Sequence, residues 1–384
     1  RQRQMCIRDR SSYKINIRIK HINKDLSMIK KILKIIGWIV LLILLLSLWM
    51  LQRMDTFKTI TNNTPEVCES FEMDGSAEDI EIDYARGIAY LSIQDREALI
   101  KGENAQGFIG KIDLNQKPYE LVSALTEQPD HLRPHGLSLH IDKAGKRHMA
   151  VINHPKNRGI EPEVIDLYTE SSNGSFDFVR SVSDPLFQSP NDVLLVAKEK
   201  FYVGNDKGGV STADKIQEQM GRPMSTVVFY DGKSASIAMK NLSSVSGINL
   251  SLDQGTVYAS ETNAKRMAIL KRNLIDGSLE KIKTIKLTGS PDNINVSEDG
   301  SLVVANIPKV LALIQHFIAL QNNEYKPAPS QVVQIDFDEK GNHFSKELFM
   351  SDGYDISTTS VGAIWSNKLF MGSIDDNQMY VCEL

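Results

Sequence analysis

The 384-residue chain has little cysteine and no surplus of positive charge. Three cysteines are too few for a disulfide-rich scaffold. A formal net charge of -4, with no basic run in the bulk of the chain, argues against nucleic acid as a partner. The chain also lacks a Gly-x-Ser-x-Gly elbow, a phosphate loop and a dinucleotide fingerprint. A serine hydrolase triad and a nucleotide site therefore have no support in the sequence.

One long apolar run, residues 35–51, stands out near the N-terminus. It carries no charge, is long enough to cross a bilayer, and has Trp38 and Trp49 near its ends. Three lysines precede it closely, so the positive-inside rule predicts that residues 1–34 are cytoplasmic and the bulk of the chain is extracytoplasmic, either periplasmic or extracellular. A cleaved signal peptide is the alternative. Bulky residues at the end of the run favour an uncleaved membrane anchor.

Two further segments flank this predicted anchor. Residues 1–10 show no apolar periodicity and resemble translated sequencing adapter more than protein. Met28 is therefore the expected start, and residues 1–27 are not part of the predicted fold. Residues 52–67 are polar and contain Pro65, which predicts a stalk. We therefore expect one globular domain over residues 68–384.

Cys68 and Cys382 form an even pair once Cys6, in the excluded segment, is set aside. Outside the cytoplasm, a disulfide between them would tie the two ends of the domain together. Two buried free thiols are the alternative.

After Cys68, short apolar runs alternate with turn residues, which is the pattern of β-strands. Similar runs recur roughly every 45–65 residues, close to the length of a propeller blade. These runs lie at residues 87–92, 148–153, 201–204, 256–260, 301–305 and 368–372. We therefore predict an all-β, six-bladed β-propeller around a central channel; a two-sheet sandwich, the alternative, needs fewer residues.

Two helices are predicted to interrupt the strands. Residues 212–220 read as a short helix that ends at Gly221, and residues 309–320 as a second, strongly apolar helix. Because apolar residues surround the second helix nearly completely, we expect it to be buried or to face lipid.

Polar clusters lie at the ends of several strand-like runs, and strand ends of successive blades line the mouth of a propeller channel. Carboxylates and amides from different blades would supply oxygen ligands to one central calcium ion. These residues are Glu78, Asn191, Asp292 and Asn293. Because successive side chains of a strand point in opposite directions, the adjacent Asp79 and Asp192 are expected to face a second, deeper ion. Ordinary turn formation is the alternative for each dipeptide taken alone.

Two histidines, His135 in Arg-Pro-His-Gly and His154 in Asn-His-Pro, accompany these clusters. Either one alone is more typical of a structural histidine. Placed together, in neighbouring blades beside the ion, they are expected to form a hydrogen-bonded pair that activates water.

As an ordered set, from about Cys68 to the C-terminus, these motifs resemble the paraoxonase/arylesterase family of calcium-dependent six-bladed propellers, which is related to the gluconolactonases. The motifs that carry the resemblance are Ser-Ala-Glu78-Asp79, Arg-Pro-His135-Gly, Asn-His154-Pro, Ser-Pro-Asn191-Asp192 and Pro-Asp292-Asn293. The resemblance implies a catalytic calcium and a buried structural calcium. It assigns the first to Glu78, Asn191, Asp292 and Asn293, and the second to Asp79, Asp192 and the backbone carbonyl of Leu137.

The resemblance also implies further roles. His135 and His154 match a proposed base dyad, Asp206 matches a nearby acidic residue, and Cys68 and Cys382 match a disulfide that closes the propeller. Three positions depart from the family pattern. Ser246 stands where the family has a calcium-binding asparagine, Asn306 lies where a pocket histidine is usual, and Asp375 replaces an apolar pocket residue.

The predicted function is calcium-dependent hydrolysis of lactones or aryl esters, in which water activated by the histidine pair attacks a metal-polarised carbonyl. The predicted partners are a small-molecule substrate and, through the N-terminal helix, a membrane; no protein partner is predicted. A non-catalytic, membrane-anchored ligand-binding propeller is one alternative, favoured by the weaker ligand Ser246. A sugar-lactone hydrolase of the gluconolactonase type is another, since Asp375 and Asp376 suit a polar substrate.

Overall fold

The computed structural model describes residues 2–209 and 211–384, with side chains from residue 20 onwards apart from those of Ile22 and Gln219. The chain divides after Phe57 into an N-terminal helical unit and a much larger β-rich unit. Each unit is described by itself.

The N-terminal unit contains one long helix, α1 (Gln2–Arg53). Its segment Asn23–Arg53 is long and apolar enough to cross a membrane, and the predicted span at residues 35–51 lies within it. Helix α1 continues through residues 52 and 53, which the sequence assigned to the stalk. A signal sequence would also satisfy this length and composition, so retention of the anchor stays a prediction.

The described part of the larger unit folds into six antiparallel, four-stranded sheets, which confirms the six-bladed propeller. Blades 1 and 2 contain β2 (Ser76–Asp83), β3 (Ile88–Gln94), β4 (Phe108–Asp113), β5 (Val122–Ser123), and β6 (Pro134–Ile141), β7 (Arg147–Asn153), β8 (Val164–Glu170), β9 (Phe176–Val182). Blades 3 and 4 contain β10 (Pro190–Ala197), β11 (Lys200–Asn205), β12 (Ser225–Tyr230), β13 (Ala235–Leu242), and β14 (Val245–Leu250), β15 (Thr256–Glu261), β16 (Arg266–Arg272), β17 (Leu279–Lys286). Blades 5 and 6 contain β18 (Ser290–Val296), β19 (Leu302–Ile307), β20 (Ser330–Phe337), β21 (His343–Ser351), and β22 (Thr359–Trp365), β23 (Lys368–Ser373), β24 (Gln378–Glu383), β1 (Cys68–Glu72).

The burial of six strands explains why their apolar runs recur in the sequence. They are the second strands of the six blades, and each has hydrogen-bonded neighbours on both edges. Neighbouring blades cover their faces, so these strands are buried almost throughout. The outermost strands β13 and β17 carry many exposed polar side chains. The first strands of adjacent blades contact one another around the centre of the ring.

The ring is closed by a strand from the start of the domain. Strand β1 completes blade 6 by pairing with β24, and Cys68 lies directly opposite Cys382 in this ladder. The two cysteines form a disulfide. The predicted disulfide is therefore confirmed, and the alternative of two free thiols is excluded. The bond joins the two ends of the domain covalently.

Among the described residues of the propeller there are three short helices, α2 (Arg96–Ile100), α3 (Thr212–Gln219) and α4 (Val310–Gln321), besides a 3-10 turn at Thr262–Ala264. The predictions of α3 and α4 are confirmed, whereas α2 was not predicted because its five residues carry too little periodicity. The expectation that α4 is buried holds for one of its sides, and contact of the other side with lipid stays a prediction. One face is buried, but Ile314 and Ile318 on the other face are 40% and 53% exposed.

Candidate active site at the channel mouth

The first strand of every blade has a register shift close to the end that carries the polar clusters. In blade 1, for example, the shift falls between Ala77 and Asp79. A bulge sets two residues opposite one and re-aims their side chains. This explains how the consecutive carboxylates Glu78 and Asp79 are both buried at the channel, which strict alternation along a strand does not allow.

Blades 1, 2 and 5 bring several predicted site residues together. The Nδ2 of Asn293 donates to the backbone carbonyl of Glu78 at 2.9 Å and to Oε1 of the same residue at 3.2 Å. The Nε2 of His135 lies 3.5 Å from this Oε1. Ser360 of blade 6 donates to the Glu78 carbonyl at 2.7 Å and holds the strand from the other side.

Three oxygens of the predicted upper site have no hydrogen-bond partner among the described residues. They are Oε2 of Glu78, Oδ1 of Asn191 and Oδ1 of Asn293, and all three are buried. An unsatisfied buried acceptor costs about 1–3 kcal/mol, so such atoms call for an explanation. A hard cation such as calcium takes carboxylate and amide oxygens as ligands. The residues present therefore fit such an ion.

Amide ligands matter to this assignment. Within the described part of the chain, no group of three or more histidine, cysteine, aspartate or glutamate side chains is gathered as a metal centre. The donor set instead mixes carboxylates with asparagine side chains, which suits calcium rather than a transition metal.

The deeper pair, Asp79 and Asp192, is satisfied by backbone groups. Each carboxylate accepts one bond from the amide of the following residue, and a second from Leu137 at 2.8 Å or from Ile248 at 2.7 Å, respectively. Gly136 leaves the necessary space, because a Cβ there would lie 2.5 Å from Oδ1 of Asp192. Leu137 thus reaches the site through its N–H, and a role for its carbonyl stays a prediction.

The carboxylates at the channel are crowded together in a dry environment. Burial, followed by the charge of Glu78, raises the pKa of Asp79 to about 7. Burial and neighbouring carboxylates also raise the pKa values of Asp192 and Asp292 well above the usual range. Arg96 is a buried cation whose charge partly opposes the same effect at Glu78. Several buried carboxylates with so little compensating charge favour a bound cation.

The two histidines lie in one blade, not in neighbouring blades, so that part of the prediction was wrong. His135 is on β6 and His154 follows β7, and the pairing of Pro134 with Asn153 places them at the same end of the hairpin. Their ring centroids are 4.9 Å apart. Burial is the main cause that lowers the pKa of both imidazoles well below the usual value. Both are therefore neutral near pH 7.

Glu163 is a site residue that the sequence did not reveal. Its Oε2 lies 2.6 Å from Nδ1 of His154, and its Oε1 accepts a bond from Nε of Arg158 at 2.9 Å. A proton on Nδ1 leaves Nε2 of His154 as an acceptor, and this atom is buried without a partner among the described residues. No motif marks Glu163, because a glutamate before a strand is common.

Three other predicted positions have different surroundings. The hydroxyl of Ser246 accepts a 2.7 Å bond from Thr262, whose Oγ1 also lies 2.7 Å from the carbonyl of Pro291. Asp206 binds the hydroxyl of Ser189. Asp375 accepts a 2.6 Å bond from His316 and is fully engaged inside the protein.

A cavity of about 590 Å³ opens beside His135 and His154. Leu99 of α2, Phe317 of α4 and Ile374 give it an apolar wall. The site combines two neutral imidazoles, three buried oxygens without hydrogen-bond partners among the described residues and an adjoining cavity at one end of a six-bladed channel. This combination is that of a propeller hydrolase.

The chain belongs to the arylesterase family, whose model matches residues 103–384. The predicted resemblance is therefore confirmed. Membership makes the protein an ester hydrolase and favours the enzyme over the alternative of a non-catalytic ligand-binding propeller.

Curated relatives cover most of the chain. Serum paraoxonase/lactonase 3 of Rattus norvegicus is 27% identical over 342 residues, which span 87% of this chain and 93% of the relative. Serum paraoxonase/arylesterase 2 of Gallus gallus is 25% identical over 316 residues, or 80% and 86% of the two chains. Among solved structures, a luciferin-regenerating enzyme matches with a TM-score of 0.49 and 13% identity, covering 83% of this chain and 95% of its own.

Proposed function

We propose that this protein is a calcium-dependent hydrolase of lactones and aryl esters. The observation that carries the proposal is the set of buried, unpartnered oxygens of Glu78, Asn191 and Asn293 beside two neutral imidazoles. The names of the relatives, lactonase and arylesterase, support both substrate classes. Bound calcium would polarise the substrate carbonyl and stabilise the oxyanion.

Two ions are proposed, with separate ligands. The upper, catalytic ion takes its ligands from blades 1, 3 and 5, and the deeper, structural ion takes carboxylates of blades 1 and 3 with a carbonyl of blade 2. The upper set is Glu78, Asn191, Asp292 and Asn293. The deeper set is Asp79, Asp192 and the carbonyl of Leu137. The hydroxyl of Ser246 and the carbonyl of Pro291 both lie 2.7 Å from Oγ1 of Thr262, next to the upper set. Because Ser246 has no amide, the upper set has one amide ligand fewer than the family pattern.

The histidine pair acts as the general base. The attacking water transfers a proton to the pair formed by His135 and His154, in which Nε2 of His154 is the buried acceptor that has no partner among the described residues. Glu163 holds His154 in one tautomer through its Nδ1 and stabilises the imidazolium that forms. The cavity beside the pair holds the acyl or aryl part of the substrate.

Chelation tests the proposal most directly. Hydrolysis of phenyl acetate and δ-valerolactone should be lost in EDTA and restored by added calcium. Asp292→Asn should weaken the calcium-dependent rise of the thermal unfolding midpoint, whereas Asp299→Asn, in the exposed turn that follows the same strand, should leave it unchanged. Activity that persists after exhaustive chelation would contradict the metal mechanism.

We further propose that residues 35–51 of α1 form an uncleaved membrane anchor and that the propeller lies on the extracytoplasmic side. The disulfide between Cys68 and Cys382 supports an oxidising compartment. Carbonate extraction should leave the full-length protein in the membrane fraction, and added protease should digest the propeller in intact spheroplasts or cells. Release by carbonate, or full protection from protease, would contradict the topology.

A further inference from the structure

Several basic side chains line the cavity beside the histidine pair. Within the described part of the chain, the basic residues that line it are Arg96, Arg133, Lys156 and Arg158. The acidic lining residue in the same range is Glu103, which is exposed. A neutral ester or lactone gives no reason for such an excess of positive charge beside the reacting group.

Two of these cations serve the protein itself. Arg96 donates to the carbonyl of Pro134 at 2.7 Å and to that of Ser76 at 3.2 Å, and its charge acts on buried Glu78. Arg158 donates to the carboxylate that orients His154. The charges of both cations therefore already have partners within the protein.

The other two cations, Arg133 and Lys156, form no ion pair with a carboxylate within 4.0 Å among the described residues. The guanidinium of Arg133 donates to the neutral amide oxygen of Asn104 at 2.9 Å. The other N–H groups of this guanidinium form no hydrogen bond with a described residue. Both cations also line an adjoining cavity of about 440 Å³. Glu161 lines that cavity as well; hydrogen bonds from Asn157, followed by the charges of Arg133 and Lys156, lower its pKa.

The backbone fixes both cations relative to the histidines. Arg133 lies two residues before His135, and Lys156 two residues after His154, with a proline between in each case. The carbonyl of Arg133 accepts the amide of His154 at 3.0 Å, and its own amide donates to Asn153 at 2.9 Å. The two charges and the two imidazoles thus occupy one end of one hairpin.

The same cavity also has the apolar wall formed by Leu99, Phe317 and Ile374. On the basis of the proposed function, we propose that the substrate is an ester or lactone that bears an anionic group. Arg133 and Lys156 bind this group, and the apolar wall contacts the carbon skeleton between it and the scissile carbonyl. A guanidinium fork suits a carboxylate or a phosphate, and the ammonium adds a point charge.

A matched pair of substrates tests the proposal: 4-acetoxybenzoate and its uncharged methyl ester. The protein should prefer the anion in kcat/KM, and Arg133→Gln or Lys156→Gln should each lower the anion-to-ester ratio by about tenfold, mainly through KM. Arg133→Lys should retain part of the preference. Lys146→Gln, an identical charge change at the other end of the same hairpin, should leave the ratio unchanged. The proposal would be overturned if the ratio stayed unchanged in Arg133→Gln, or if it stayed unchanged in Lys156→Gln.

Direct binding separates this inference from the proposed function. If neither ester is hydrolysed, the proposed function fails, and calorimetry with benzoate still decides the inference. Benzoate binding that weakens about tenfold in Arg133→Gln supports the anion site. Absence of benzoate binding, or equal binding by Arg133→Gln and the unaltered protein, would overturn it. Thermal unfolding of each variant confirms that it is folded.

Discussion

Replacement of Glu163 by glutamine tests the catalytic role of the histidine pair. The carboxylate serves two donors at once, Nδ1 of His154 and Nε of Arg158. An amide has one acceptor oxygen, so its NH2 group must face one of these two donors. If the NH2 group faces Arg158, two hydrogen-bond donors oppose each other. If the NH2 group faces His154, it donates to Nδ1, so the imidazole proton moves to Nε2 and Nε2 is no longer a free acceptor. In both cases the charge that stabilises the imidazolium is lost.

The expected loss follows from the strength of this one contact. The 2.6 Å bond between Glu163 and His154 is charge-assisted when the imidazole is protonated, and a hydrogen bond to a charged group contributes about 1.5–3 kcal/mol. Each 1.36 kcal/mol changes a rate tenfold, so kcat/KM should fall by about 10- to 150-fold.

Phenyl acetate hydrolysis under calcium saturation is a suitable assay, because this neutral substrate has no anionic group for Arg133 and Lys156 to bind. Glu161→Gln is the matched control: it lies two residues away, undergoes the same charge change, and accepts bonds from Asn157 rather than from a histidine. Its kcat/KM should match that of the unaltered protein. Equal activities for Glu163→Gln and Glu161→Gln would refute the role of Glu163.

Other sites give further predictions. Asp292→Ala should lower kcat/KM for phenyl acetate far more than His135→Ala, since it removes an ion ligand; equal, mild losses would place the active site elsewhere. Replacement of both Cys68 and Cys382 by serine opens a loop with a sequence separation of 314 and should lower the free energy of unfolding in urea by about 5 kcal/mol; an unchanged midpoint would contradict this. Burial is the largest single influence on the pKa of His316 and lowers it, but the hydrogen bond and charge of Asp375, with the bond to the carbonyl of Lys326, together outweigh burial and raise this pKa. The stability from this pair should be full below about pH 6.5 and lost as the pH rises through the raised pKa. His316→Gln should remove that dependence of the unfolding midpoint, and an unaltered pH profile would argue against it.

The sequence predicted the parts of the fold that depend on local pattern. Second strands such as β7 and β19 are buried on both faces, so their apolar runs are continuous and bounded by turns. The six-fold recurrence of these runs predicted the number of blades. In contrast, α2 has five residues, and its start depends on the side chain of Asp95 accepting the amide of Ala98, which no periodic pattern reveals.

The candidate site was predictable only where motifs survive in the chain. Short clusters that match family motifs contain Glu78, Asp79, Asn191, Asp192, Asp292 and Asn293. Glu163 lies in no such cluster, because it gains its significance from His154, a neighbour in space that no motif links to it. The blade shared by His135 and His154 was also missed, since sequence spacing does not show which strands form one hairpin.

The sequence by itself therefore determined the length of the apolar N-terminal segment, the repeated strands, the disulfide partners and the oxygen-rich clusters, since each follows from neighbouring residues, from a repeat or, for the disulfide, from the number of cysteines. The tertiary structure alone decided which side chains share one dry space. Bulges aim Glu78 and Asp79 together at the channel, and the carboxylate of Glu163 meets His154. Arg133 and Lys156 flank the histidines only because the ends of β6 and β7 are paired. Burial then gives these contacts their strength, because charges interact most strongly where water is excluded.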